Sequence, residues 1–276
     1  MSAELLFWCG LGVKMAMTAA VVVVTSVVVE RSGAFLGALV ASLPTAAGAA
    51  YIILAAEHPP TFIAAGAVGS VASVATVSVF CATYTLMAQR RGLIASLGSA
   101  VLIWFAAASA LRLTDWTPLT AVALNVAVFA VMIPLSARYR AVGPPAKFLR
   151  TRLDIPLRAL AAAIVVVVVT TASSSIGSFA SGVFALFPII LGSSIVVLHP
   201  RIGGRATASM TAHAQVALIG LVLGFLAVHF LAEPLGAWAA LAIGLAVCVA
   251  WSGVLWLART RRRAAITPSS PSPTAP

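Results

Sequence analysis

The sequence predicts an all-α protein, a polytopic transmembrane bundle of about nine spans organised as an inverted-topology repeat. Three observations carry this. The chain is 62% apolar and only 8% charged, with a mean hydropathy of +1.10, more apolar surface than a soluble globule of this size can bury. Apolar stretches of about 20 residues recur, each long enough to cross the hydrocarbon core, without the alternation of barrel strands. The chain also resembles itself at an offset of 144 residues, Lys14–Leu54 lying on Arg158–Leu198 without a gap.

The expected spans are 5–29, 34–56, 61–88, 93–111, 118–136, 157–174, 177–198, 206–232 and 235–258. Short polar or Pro/Gly-containing joints such as Arg31-Ser-Gly33, Glu57-His-Pro-Pro60, Gln89-Arg-Arg-Gly92 and Glu233-Pro234 separate them. The first span carries no basic residue before it, the reverse of a signal peptide, so it is expected to be retained. The organisation that follows is a first transmembrane unit over 1–137, a basic loop over 138–156, a second, inverted unit over 157–258, and a tail over 259–276. The tail is basic and then Pro/Ser-rich, a composition expected to stay disordered.

The net charge of +11 raises nucleic acid as a partner, but the placement of the charges argues for a membrane instead. Arg31, Arg90, Arg91, Arg138, Arg140, Lys147, Arg150, Arg152, Arg201, Arg205 and the Arg259–Arg263 run all follow odd-numbered spans. Even-numbered loops hold Glu57, Asp115, Glu233 and Arg112. This positive-inside asymmetry places the N-terminus outside and the C-terminus in the cytoplasm of a bacterial inner membrane. The expected partners are the lipid bilayer and a small-molecule solute, with no nucleic acid; a homodimer or a partner membrane subunit stays open.

Within the repeat, valine runs align cheaply, but Gly33 with Gly177, Phe35 with Phe179, Pro44 with Pro188 and Gly48 with Gly192 mark backbone geometry. Five spans separate the starts of the two units, and an odd number of crossings reverses direction. A parallel duplication would require one span to be miscounted. Pro44 and Pro188 fall midway along spans 2 and 7, where each removes a helical hydrogen bond and would expose the carbonyls of Val40 and Phe184. Paired interruptions at matching positions point to a transporter's binding site; the plainer alternative is a pair of kinks in packed helices.

The candidate substrate-binding residues are therefore Pro44, Gly48, Pro188 and Gly192, joined by His213 and Gln215 in span 8. Ionisable groups inside a span are costly and point to function. His213 reads either as an anion or proton contact or as a neutral histidine bonded to a neighbouring carbonyl. Gly66, Gly69, Ser70, Ser73 and Thr76 form a small-residue band in span 3 that favours close helix packing. Lys14 reads as an interfacial or snorkelling residue rather than a functional cation. Asn125 is compatible with capping, helix bridging or solute contact, and Ser173–Gly177 reads as a turn.

No Asp or Glu lies deep in a span, which removes the usual ligand of a coupling cation and favours an anionic or neutral solute. No phosphate-cradling loop, zinc-protease motif or serine-hydrolase elbow is present, so neither an enzyme nor a cofactor is expected, and no metal site. Cys9, Cys81 and Cys248 lie singly within spans and read as small apolar residues.

The segments SGVFALFPIILGSSIVVL and SGAFLGALVASLPTAAGAAYIIL resemble small bacterial membrane proteins of the GlpM and DUF3147 type, which carry a similar glycine-to-proline helix. The resemblance covers about one span per unit and implies a fused, inverted duplication of a small membrane module. Because one such protein is linked to alginate production, it also keeps in view an accessory or structural subunit of an envelope or polysaccharide system. The sequence favours secondary transport or export of a small solute by alternating access.

Overall fold

The computed structural model describes residues 12–20, 23–24, 45–141 and 154–266. Among them every regular element is helical. Residues 12–20 are helical and are called α1, and residues 23–24 are helical too. There follow α2 (Thr45–Glu57), α3 (Pro60–Met87), α4 (Leu93–Ala110), α5 (Pro118–Ala137), α6 (Asp154–Ala185), α7 (Ile189–Ile202), α8 (Gly204–Leu235) and α9 (Ala237–Ile266). Six stretches are long and apolar enough to cross a membrane: Pro60–Met87, Leu93–Leu113, Pro118–Arg140, Ala162–Ala185, Gly204–Leu235 and Ala237–Ala258. Against the nine expected spans, six helical stretches among the described residues are thus long and apolar enough to cross. Most of span 1 and the front of span 2, Pro44 included, lie outside them.

Local chemistry sets the ends. Pro60 occupies the first turn of α3, where its missing N–H costs nothing. Thr117 and Thr120 form a reciprocal capping box ahead of α5, with Pro118 behind the cap. Gly203 and Gly236, at φ 82 and φ 83, make the reversals between α7, α8 and α9 in a backbone region that favours glycine. Two boundaries differ from expectation. The basic loop gives way to α6 at Asp154, whose acidic start suits a helix N-terminus and whose Pro156 is tolerated in the first turn. At the other end α9 runs on to Ile266 through the Arg/Ala-rich segment expected to be disordered, since both residue types are good helix formers.

Span 7 is where the fold departs most from a simple bundle. Gly177, at φ 79 and ψ 171, turns α6 back on itself, so residues 178–185 run beside α3 in the same direction. Helix then stops at Leu186–Pro188, and α7 resumes at Ile189. The span is therefore two half-helices meeting at Pro188, which is itself buried.

The 144-residue offset reappears in the helix starts. Thr45 and Ile189, Pro60 and Gly204, and Leu93 and Ala237 each open a helix in the same register. α5 stands between the two sets. Packing follows the same exchange, α2 resting on α9 as α7 rests on α4.

The central pair, α3 and α8, is antiparallel. Near one end His229 donates from Nδ1 to the Ala64 carbonyl at 2.8 Å. Near the other, Thr85 Oγ1 lies 3.5 Å from the Ala208 carbonyl, at the limit of a hydrogen bond, and 2.8 Å from Thr211 Oγ1. His229 and Thr85 are repeat equivalents, as are Ala208 and Ala64, so the two contacts exchange with each other.

α3 is the hub of the bundle, buried along most of its length. Gly66, Gly69 and Gly182 let it meet residues 178–182 backbone to backbone: a Cβ at Gly182 would run into the Gly66 carbonyl, and one at Gly69 into the Phe179 carbonyl. This is the close packing that the small-residue band predicts.

Candidate functional site

The site is built around the interruption of span 7. Loss of the Pro188 N–H loosens the helix for a full turn before it. Leu186 N–H bonds back three residues to the Val183 carbonyl, Phe187 N–H to the Phe184 carbonyl, and Ile189 N–H to the Phe187 carbonyl. The carbonyl expected to be exposed, that of Phe184, is thus satisfied by a tightened turn. The acceptors that reach outward lie one and two residues earlier.

Two serines of α3 take them. Ser70 Oγ donates to the Gly182 carbonyl at 2.9 Å, and Ser73 Oγ to the Val183 carbonyl at 3.0 Å. Tyr51 of α2 lies 2.7 Å from Ser70 Oγ and completes a chain from α2 through α3 to the Gly182 carbonyl. These side chains are fully buried. Such a chain replaces hydrogen bonds that lipid cannot supply.

Aromatic rings line the other side. Trp104 of α4 packs edge-on against Phe187 with centroids 4.9 Å apart, and lies 6.1 Å from Phe184. Its side chain is fully buried, yet the indole Nε1 has no hydrogen-bond partner among the described residues. Ser78 Oγ and Asn125 Oδ1 are likewise buried without a partner, although Asn125 Nδ2 bridges to the Val71 carbonyl at 2.7 Å. Asn125 therefore ties α5 to α3.

The interruption also brings the starts of α2 and α7 together. Ala46, one residue into α2, and Ile189 and Ile190, at the start of α7, meet in one small apolar cluster with Ala19, Ala159 and Ala162. Gly48 and Gly192 follow one turn later, and among the described residues no atom outside the local helix lies within 4 Å of where a Cβ would stand at either.

The sequence-predicted residues do not all converge here. Pro188 sits at the interruption, Gly192 just beyond it, and Gly48 in the equivalent turn of α2; Pro44 lies outside the described residues. Gln215 is elsewhere. With its amide oriented so that both ends are satisfied, it donates to the Met132 carbonyl at 2.9 Å and accepts from Ser136 Oγ at 3.0 Å and Ala82 N–H at 3.2 Å. At a period of 3.6 residues, Ala82 lies on the face of α3 roughly opposite Ser73, so Gln215 belongs to the α3–α5–α8 junction. His213 donates from Nδ1 to the Ser209 carbonyl of its own helix at 2.8 Å. Trp104 and Tyr51 were missed by sequence reading. An isolated aromatic in an apolar run carries no pattern that separates it from packing.

No family model, characterised protein or solved structure matches this chain. The GlpM and DUF3147 resemblance therefore rests on the two proline-containing segments alone.

Lys14 lies at the periphery. It pairs with Glu57 at 2.8 Å, and both side chains keep solvent access, 17% and 37%. Pairs of this exposure contribute less than about 1 kcal/mol, so Lys14→Met is expected to leave the unfolding temperature in detergent almost unchanged. A fall of more than a few degrees would assign Lys14 a structural role.

Proposed function

We propose that this chain is an integral membrane secondary transporter or exporter of a small anionic or neutral solute, working by alternating access between two inverted repeat units. The observation that carries the reading is the interrupted span 7, whose buried break at Pro188 meets the start of α2 in one cluster. Discontinuous helices meeting near the bilayer centre are the recurring way in which carriers expose backbone groups to a solute.

The exchange of contacts between α3 and α8 supports the inverted arrangement. Two antiparallel repeat equivalents are related by a two-fold axis perpendicular to them, which for spanning helices lies in the membrane plane. By the positive-inside rule the end carrying Arg90, Arg91, Arg138, Arg140, Arg201 and Arg205 faces the cytoplasm of a bacterial inner membrane, with the N-terminus outside. The solute path follows the interruption, with Pro188, Gly192 and Gly48 around it; His213 and Gln215 are secondary to it.

Alternating access is testable without knowing the solute. Cys81 and Cys248 are buried, so Gly192→Cys in a Cys9→Ser background presents one reactive thiol beside the break. A carrier is expected to let a membrane-impermeant maleimide reach it from either face of oriented vesicles. Labelling from one face only, or from neither, would reject the reading.

The accessory-subunit alternative has an observation of its own, since Ser70 and Ser73 already satisfy the outward carbonyls of the break, as a static packing motif would. Such a subunit should co-purify with a partner and show no two-sided labelling.

A further inference from the structure

Arg140 does what a basic residue at the end of a membrane span ordinarily avoids. Long cationic side chains at such ends extend towards water, but the Arg140 guanidinium turns back along its own helix. Nη2 donates to the Ile133 carbonyl of α5 at 3.2 Å, and Nε donates to the Ala212 carbonyl of α8 at 3.1 Å. Ala212 lies about 12 Å along α8 from its start at Gly204. The charge is therefore held in the seam between α5 and α8, inside the helix ends. Pro134 loosens α5 at this level, and the Met132 and Ile133 carbonyls accept from the side chains of Gln215 and Arg140.

Two carbonyls satisfy hydrogen bonds without balancing a full charge. A guanidinium presents five donors in a planar fork, and Arg140 Nη1 has no partner among the described residues. No carboxylate approaches it either. Lys14 with Glu57 is the one ion pair among the described residues, and Glu57, Asp115 and Glu233 all stand at the other end of the bundle. A cation kept at membrane depth without an anion is costly and marks a functional site.

The surroundings say what kind of anion reaches it. Arg140 is only half-buried, and Pro134, Leu135, Ala137 and Arg138 beside it are exposed, a surface that faces lipid in a bilayer. Arg138 lies over the Tyr139 ring at 4.8 Å, and tyrosine of this kind belongs at headgroup level.

We propose that Arg140 binds a phosphate oxyanion, and that its source is the headgroup of an anionic phospholipid seated against the α5–α8 seam. The guanidinium fork pairs with phosphate oxygens, and the exposed apolar surface of α5 receives the acyl chains. By the positive-inside rule this end faces the cytoplasm, where basic pockets between spans hold anionic headgroups. The site is separate from the break at Pro188 and does not depend on the transport reading, which the labelling at Gly192→Cys tests by itself.

The test uses the full chain purified in detergent and delipidated, with thermal unfolding followed as phosphatidylglycerol, diacylglycerol or inorganic phosphate is added at equal ionic strength. The wild type is expected to be stabilised by phosphatidylglycerol and by neither diacylglycerol nor inorganic phosphate. Arg140→Gln should raise the phosphatidylglycerol concentration needed for that response about tenfold. Arg90→Gln, at an exposed arginine of the same end, should leave it unchanged. Should Arg140→Gln fail to fold, Arg140→Lys keeps the charge without the fork and should still weaken the response severalfold.

A wild type indifferent to phosphatidylglycerol would make Arg140 a plain staple between α5 and α8 and overturn the proposal. An undiminished response in both Arg140 variants, or an equal loss in Arg90→Gln, which diffuse surface charge would produce, would overturn it too. Protection by inorganic phosphate that is lost in Arg140→Gln, without a response to phosphatidylglycerol, would keep the oxyanion and assign it to an aqueous solute in place of a lipid.

Discussion

Gly182→Ala is expected to destabilise this protein by about 3 kcal/mol, the upper part of the range for overpacking a well-filled interior. The added methyl would enter the Gly66 carbonyl, and the obstacle is backbone on both sides, so no side chain can rotate away. Separation of the two segments would also loosen the Ser70 bond to the Gly182 carbonyl. Thermal unfolding in detergent measures it. Gly192→Ala is the internal comparison: nothing lies within 4 Å of its added carbon, and the gain in helix propensity, about 1 kcal/mol, should leave stability unchanged or slightly raised. If the two variants unfold alike, the close approach of α3 to residues 178–182 is not what holds the break in place.

The second large effect is expected at Pro188→Ala. Alanine restores an N–H that can bond the Phe184 carbonyl and removes the ring that forbids a straight path, a preference of about 3 kcal/mol for continuous helix. Leu186 and Phe187 would then bond back to the Gly182 and Val183 carbonyls, drawing into a continuous helix the acceptors that Ser70 and Ser73 now hold. A bias of that size shifts a two-state equilibrium by about two orders of magnitude, so two-sided labelling at position 192 should be lost while membrane insertion continues. Amide hydrogen exchange reports the cause directly, since Leu186–Leu191 should become protected in the variant. Persistent two-sided labelling would make Pro188 a kink without functional consequence.

Much of the fold is legible in the sequence because its boundaries are written in local chemistry. Pro60, Gly92, the Thr117–Thr120 box and Gly203 punctuate α3, α4, α5 and α8, and the predicted ends differ from the observed ones by three residues or fewer. The reading of Ser173–Gly177 as a turn corresponds to the positive φ at Gly177. The offset of 144 residues, found in a few glycines and prolines, extends through three pairs of helix starts.

The candidate site is less legible. Proline marks where a helix breaks, but which donors take over the carbonyls depends on residues more than a hundred positions away, as with Ser70 and Gly182. Gln215 is set by distant residues too, its partner Ser136 lying 79 positions before it in the unpaired α5 with Met132. One-dimensional spacing on α8 groups it with His213, whereas packing assigns the two to different surroundings. Trp104 has no sequence signal, because its distinction is a missing partner.

The separation of Ser70 and Ser73 from their acceptors has a consequence for how the protein is made. Gly182 and Val183 follow these serines by 112 and 110 positions, so α3 leaves the ribosome well before the strip of backbone it will rest against. During that interval its glycine faces and the Ser73 hydroxyl lack the backbone they will rest against, and Ser70 has only Tyr51 of the preceding helix at hand. Final assembly of the centre is thus a late, post-insertion event, and the first half of the chain emerges as an unfinished surface awaiting the second.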